Sequence, residues 1–317
     1  MTPPTQVTIV EVGPRDGLQM EKVFVPTEAK IALINAIARA GIRKMEATSF
    51  VSTRVIPQLR DAGEVMAGIE RRPGVTYVAL VPNLKGAERA IASGADAVKI
   101  VICTSDSYNR RNVGMSVEDS LHNCAEILNL SRRSGTPAEV VIGLSFGCPL
   151  EGPTPPERVA ELTGRLAAQG YTEISIADST GLANPVQVRK LMRLLLDGFP
   201  GIHFSLHVHN HRGLGLANIF AAWEEGTDMF DSSIGGLGGS EVVVSGASGN
   251  VPTEDLVNMF HEMGVETGVD MNRLQAAARM AQETVGRTLP SYILANGTPE
   301  QFYERVREAE SVKAERS

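Results

Sequence analysis

Short apolar, β-branched runs alternate with amphipathic stretches along most of the chain. Residues 7–12, 43–48, 76–81, 97–102, 139–144, 173–177, 203–209 and 229–234 are such runs and predict strands. They are nearly continuous in apolar character, as in a parallel sheet buried on both faces. The spacing between them predicts helices at 27–40, 56–69, 84–93, 116–131, 155–169, 185–196, 214–225 and 253–263. Thr27 is the expected N-cap of the first helix and Gly41 its stop. Ser116 and Asp119 have capping-box spacing, and Pro185 suits a first helical turn. Eight strand–helix units over roughly 270 residues match an α/β fold of the (β/α)8 TIM-barrel type in count and length. The expected organisation is a barrel over residues 1–275 and a C-terminal helical extension over 276–317. The charged stretch 304–317 reads as a solvated helix end.

Composition narrows the class. The chain has 317 residues, 43% hydrophobic and 21% charged, close to a globular average, which excludes disordered, collagenous and disulfide-scaffold chains. No apolar run approaches the roughly 18–20 residues that span a membrane. The first twelve residues lack a basic region and a long apolar stretch, so no signal peptide is expected. Cys103, Cys124 and Cys148 are odd in number and far apart, which suits a reducing compartment, the cytoplasm, and argues against structural zinc. The net charge of −7 and the absence of a basic stripe argue against nucleic acid, while a small anionic ligand remains compatible.

Polar residues inside apolar strands are costly to bury and need a reason. Arg15 and Asp16 follow the first strand, Glu46 lies in the second, and Asp178 ends the sixth. His207 and His209 lie in the seventh, and Gly235–Asn250 follows the eighth. All fall at the C-terminal end of the predicted barrel, where such folds build their active sites. On a strand, positions i and i+2 point to the same side, so two imidazoles can face one metal ion. The competing reading packs one histidine in the core and leaves the other capping backbone. Asp16 could ligate through a hard carboxylate or could simply form a turn with Gly17. Nitrogen and oxygen donors without a nearby thiolate suit Mg²⁺, Mn²⁺ or Zn²⁺. Arg15 could stabilise an oxyanion or enolate there, or could be a surface arginine paired with Glu46 or Asp178. The glycine-rich segment lacks a dinucleotide fingerprint, and no Walker A, HExxH or GxSxG pattern occurs. Cys148 reads equally as a buried apolar group or a reactive thiol.

Seven stretches together are highly specific: 11–19, 46–52, 82–86, 147–152, 207–209, 231–239 and 246–255. In this order they resemble the 3-hydroxy-3-methylglutaryl-CoA (HMG-CoA) lyases, metal-dependent barrel lyases related to the isopropylmalate and homocitrate synthases. The resemblance implies that Asp16, His207, His209 and Asn250 hold a divalent ion, with Mg²⁺ or Mn²⁺ favoured. It implies that Arg15 stabilises an enolate and that Glu46 orients Arg15 and the ligands. His207 is the candidate base. The implied reaction cleaves the C2–C3 bond of a 3-hydroxy-3-substituted acyl-CoA to acetyl-CoA and a keto acid. The alternatives are a Claisen-type condensing enzyme and a non-catalytic barrel that binds metal or acyl-CoA. The expected partners are the acyl-CoA thioester and a second copy of the chain in a homo-oligomer, a dimer; neither nucleic acid nor membrane is expected.

The chain departs from the family pattern at two positions. Ser240 stands where the family has a catalytic loop cysteine, and Asn210 stands where an aspartate commonly follows the second histidine. A serine hydroxyl is far less acidic than a thiol. Ser240, or a water it holds, is the expected proton donor, and the preferred substrate is expected to differ from HMG-CoA itself.

Overall fold

Apolar strands that cannot face water on either side must cover one another, and here they do so in strict chain order. β1 (Thr8–Glu11), β2 (Lys44–Ser49), β3 (Thr76–Leu80), β4 (Ala97–Cys103), β5 (Ala138–Gly143), β6 (Glu173–Asp178), β7 (His203–Val208) and β8 (Met229–Ser232) form a closed parallel barrel. β8 returns to β1, with Val10 opposite Asp231 and Glu11 opposite Ser232. The computed structural model describes residues 2–238 and 249–315.

Helices α1 (Thr27–Arg39), α2 (Ala62–Gly68) and α3 (Leu84–Ala92) follow β1 to β3. Two helices, α4 (Asp106–Val113) and α5 (Val117–Ser134), separate β4 from β5. Then α6 (Pro156–Gln169), α7 (Pro185–Gly198), α8 (Gly215–Glu224) and α9 (Thr253–Glu262) follow β5 to β8. Barrel-wall residues such as Ile9, Met45, Ile142 and Leu206 join helix residues such as Leu33, Leu121, Leu162 and Leu191 in one continuous core. The (β/α)8 expectation is met.

Three local expectations change. Pro26, not Thr27, occupies the cap position of α1; Thr27 is already helical and its hydroxyl donates to Asp61 Oδ2 at 2.8 Å. The stretch 56–69 is not one helix: Pro57 restricts the residue before it and lacks an N–H, so a short turn at Pro57–Leu59 precedes α2. Helix α4 is an addition, with Tyr108 and Asn109 its buried residues and no apolar period to announce it. Gly41 does end the first helical unit, in the left-handed region at φ 103°. The Ser116–Asp119 capping box is present.

Beyond the barrel lie α10 (Met271–Val285), α11 (Tyr292–Asn296) and α12 (Pro299–Glu315). The expected boundary at 275 falls inside α10, whose Leu274, Ala277, Ala278 and Ala281 belong to the main core. α12 leaves Phe302, Tyr303 and Val306 exposed. Among the described residues no helix is long and apolar enough to cross a membrane.

Candidate active site

The chain leaves β1 through a π-turn at Gly13–Gly17. The N–H groups of Arg15, Asp16 and Gly17 all point at the Val12 carbonyl, at 3.1, 2.7 and 3.4 Å. This winding places two consecutive charged side chains at the barrel mouth, a use that π-turns often serve. Gly13 is required there: a Cβ would lie 2.6 Å from Glu11 Oε1, the atom that accepts the Gly13 N–H at 2.7 Å.

His207 and His209 project to the same side, with ring centroids 5.1 Å apart. Asn250 reaches them because the segment after the glycine-rich loop pairs back onto the strand ends. His209 bridges Asn250 in antiparallel fashion, and Asn210 N–H donates to the Gly249 carbonyl at 2.9 Å. Asp16 Oδ1 accepts from Arg15 Nη1 at 2.7 Å and Gln19 Nε2 at 2.9 Å. Its Oδ2 accepts from Asn250 Nδ2 at 2.7 Å and faces His209 Nε2 at 3.9 Å. One donor atom each from Asp16, His207 and His209 lies within 4.8 Å of the others.

The protonation states follow from the surroundings. Burial alone would raise the Asp16 pKa, but Arg15 and the two imidazoles outweigh it and hold the carboxyl well below the usual range. Burial, reinforced by His207, pushes His209 down to about 3, so its ring is neutral near pH 7. Among the described residues its buried Nδ1 has no hydrogen-bond partner. Burial would likewise lower His207, but Asp231, through a hydrogen bond and its charge, turns the shift upward.

Arg15 is buried, not a surface group. Its Nε donates to Glu46 Oε2 at 2.5 Å and its Nη2 pairs with the same oxygen. Glu46, 1% exposed, is held below its ordinary range because Arg15 and Lys99 outweigh its burial. Asp178 has a different place from the one expected. Its two oxygens accept the N–H groups of Leu182 and Ala183, both at 2.9 Å, so it fixes the loop after β6 and does not pair with Arg15. Cys148 is buried against Cys103, Tyr108 and Leu144. Ser240 lies outside the described residues.

Sequence reasoning missed four charged groups. Asp231 holds His207, and Lys99 holds Glu46 at 2.9 Å. Glu11 accepts the Ile234 N–H at 2.8 Å and the Thr253 hydroxyl at 2.6 Å. Glu254 accepts the Gly235 N–H at 3.0 and 3.1 Å. Glu11 and Glu254 thus anchor the chain as it leaves β8. Burial raises their pKa values to about 7 and about 8, against the pull of those donors. For Glu11, Lys99 and Asp231 the available signal was the one that flagged Glu46, a charge inside an apolar run; Glu254, in the first turn of α9, carried no such signal.

Comparison with known proteins accords with this arrangement. The family model HMGL-like matches residues 6–281. The hydroxymethylglutaryl-CoA lyase YngG of Bacillus subtilis is 42% identical over 288 residues, 91% of this chain and 96% of that protein. The cytoplasmic 3-hydroxy-3-methylglutaryl-CoA lyase of Rattus norvegicus is 40% identical over 290 residues, 92% of this chain and 84% of that protein. An HMG-CoA lyase from Acinetobacter baumannii, solved in complex with coenzyme A and 3-methylmalate, superposes with a TM-score of 0.89 at 40% identity. That superposition covers 93% of this chain and 96% of the other. A family match over residues 6–281 and relatives this similar along nine-tenths of the sequence mean that this chain belongs to the HMGL-like family.

Proposed function

We propose that this protein is a divalent-metal-dependent carbon–carbon lyase. It cleaves the C2–C3 bond of an HMG-CoA-like 3-hydroxyacyl-CoA, releasing acetyl-CoA and a keto acid. The carrying observation is the convergence of Asp16, His207 and His209 beside the buried guanidinium of Arg15. The coenzyme A bound to the Acinetobacter lyase supports an acyl-CoA thioester as the substrate.

The donor set fits a hard or borderline divalent cation. Asp16 is ionised, His209 is neutral, and among the described residues its buried Nδ1 has no partner and no thiolate joins the cluster. Asp16, His207, His209 and Asn250 would hold the ion, Asn250 by turning its amide to present Oδ1. Mg²⁺ or Mn²⁺ is the proposed metal, and it would supply Lewis-acid polarisation of substrate oxygens.

The chain's own groups do the rest. His207, with Nδ1 on Asp231, has one nitrogen left, which can hold the ion or take the proton of the substrate's 3-hydroxyl but not both at once; as the base it would leave Asp16, His209 and Asn250 to hold the ion. As C2–C3 breaks, negative charge moves onto the thioester enolate, and Arg15 is the cation placed to meet it. Glu46 keeps Arg15 in position through Nε and Nη2. Ser240, or a water it holds, is proposed to protonate C2. The three cysteines are free and buried, which suits the proposed cytoplasmic location. A homodimer is the proposed assembly, and exposed Phe302, Tyr303 and Val306 give it apolar surface to bury.

The test incubates the purified protein with Mg²⁺ or Mn²⁺ and a panel of 3-hydroxyacyl-CoAs that includes HMG-CoA, and follows acetyl-CoA. Release that chelation abolishes is the expected result. A metal-loaded protein that releases acetyl-CoA from no member of the panel would overturn the proposal.

A further inference from the structure

The barrel interior carries a line of alternating charges below the mouth. Near its lower end Lys44, in β2, pairs with Glu173 in β6 and with Glu139 in β5, the latter at 2.6 Å. Glu139 lies 3.6 Å from Lys99 in β4, and Lys99 reaches Glu46 Oε1 at 2.9 Å. The other oxygen of Glu46 holds Arg15, which in turn touches Asp16 at the mouth. Lys99 and Glu46 are 2% and 1% exposed, so water screens neither of them.

We infer that Lys99 is a positioning residue for the reaction, setting the direction and the effective charge of Arg15 through Glu46. The inference rests on the lyase reading above. Two physical effects support it. First, a carboxylate with one oxygen on Lys99 and the other on Arg15 cannot rotate without breaking a charged hydrogen bond, so the guanidinium plane is fixed from below. Second, a glutamate bound to Arg15 alone would cancel most of its charge. Shared with Lys99, which Glu139 and Asp231 also face, Glu46 cancels less of the Arg15 charge than it would if it were bound to Arg15 alone. Ordinary packing explains neither feature. An isolated buried lysine is costly, and an apolar residue of similar shape would serve a merely structural role at least as well.

The test compares Lys99→Met with Lys99→Met/Glu139→Gln. The single variant leaves Glu139 and Glu46 undercompensated and can fail to fold. The double variant removes one charge of each sign, leaves the net interior charge unchanged and still strips Glu46 of its second cation. Steady-state kinetics on HMG-CoA with saturating Mg²⁺ should show kcat reduced 10- to 100-fold in the folded double variant. That range corresponds to about 1.4–2.8 kcal/mol at the transition state. KM should stay within threefold, because Arg15 acts on charge that develops only as the bond breaks. A second readout needs no turnover: the ¹⁵Nε–¹Hε NMR signal of Arg15, assigned by its loss in Arg15→Lys, should move and exchange faster in the double variant. A folded double variant with unchanged kcat and an unmoved Arg15 signal would overturn the inference, as would a loss confined to KM. If the unaltered protein cleaves no panel member, the lyase reading fails, and the Arg15 signal alone then decides whether Lys99 positions Arg15.

Discussion

His207 Nδ1 lies 3.2 Å from Asp231 Oδ2, and the two residues are register partners across β7 and β8. The strand pairing itself therefore sets the imidazole's tautomer and aims its other nitrogen away from β8. A carboxylate behind a ligating histidine commonly governs metal affinity by 10- to 100-fold. Asp231→Asn keeps the shape and removes the charge. Its Mn²⁺ dissociation constant should rise by roughly that factor, as read by calorimetric titration. An unchanged constant would show that the Asp231 charge does not act on the ion through His207.

His209 tests the ligand set more directly. Its ring is neutral, and among the described residues its Nδ1 has no hydrogen-bond partner while its Nε2 faces Asp16 at 3.9 Å, an arrangement that a bound cation would account for. His209→Ala should lose most bound metal, measured by elemental analysis after dialysis, and most activity. Full metal content in that variant would remove His209 from the ligands.

Arg15→Lys keeps one positive charge but loses the planar fork that engages Glu46 and Asp16 together. By analogy with removing one oxyanion donor, kcat should fall on the order of 10²-fold with little change in KM. A variant altered in KM alone would make Arg15 a binding residue.

The barrel was legible because nearly every strand is an apolar run followed by an amphipathic helix. Helix α4 was not, since its sequence is polar on almost every face. Arg15, Asp16, Glu46, His207 and His209 were legible as charges at the C-terminal ends of such runs, or within them. Lys99 and Asp231 obey the same rule, yet their partners cannot be read from sequence. Glu46 and Lys99 come from β2 and β4, which are not neighbours in the sheet, and they meet only because alternate strands of a closed barrel fill one interior layer. Asp178 shows the converse: a carboxylate at a strand end can be spent on two loop N–H groups instead of on chemistry.

Glu254 gives a pH prediction with a definite sign. Its pKa is raised from 4.5 in the unfolded chain to about 8 in the fold. Below 4.5 both states hold the proton and nothing is lost. Between 4.5 and 8 the unfolded chain releases it while the fold retains it, so stability falls as pH rises and levels off above 8. Glu254→Gln can still accept the Gly235 N–H and has no proton to lose. The variant's Tm relative to the unaltered protein should therefore climb between about pH 5 and 8, where ~1 kcal/mol corresponds to roughly 2 °C in a chain of this size. A difference independent of pH would show that Glu254 titrates normally.

Ser240 is where the sequence of this chain departs from the family pattern it resembles. A cysteine there would be a competent acid near neutral pH, with an unperturbed pKa of about 8.5, whereas a serine hydroxyl would not. The residues proposed for metal and enolate remain, so loss of function by drift is a poor account of the change. Either the enolate takes its proton from a water that Ser240 holds or from another group, on a differently shaped substrate, or turnover of HMG-CoA is slow. Ser240→Cys, assayed on HMG-CoA beside the unaltered protein, separates these. A gain of tenfold or more in kcat, about 1.4 kcal/mol off the barrier, is the expected outcome if the missing acid limits the reaction. No gain, together with rapid cleavage of another 3-hydroxyacyl-CoA by the unaltered protein, would place the specificity in the acyl side chain. If the unaltered protein already turns HMG-CoA over at ordinary rates of about 1–10³ s⁻¹, the serine is no handicap. The expectation of a different preferred substrate would then be wrong.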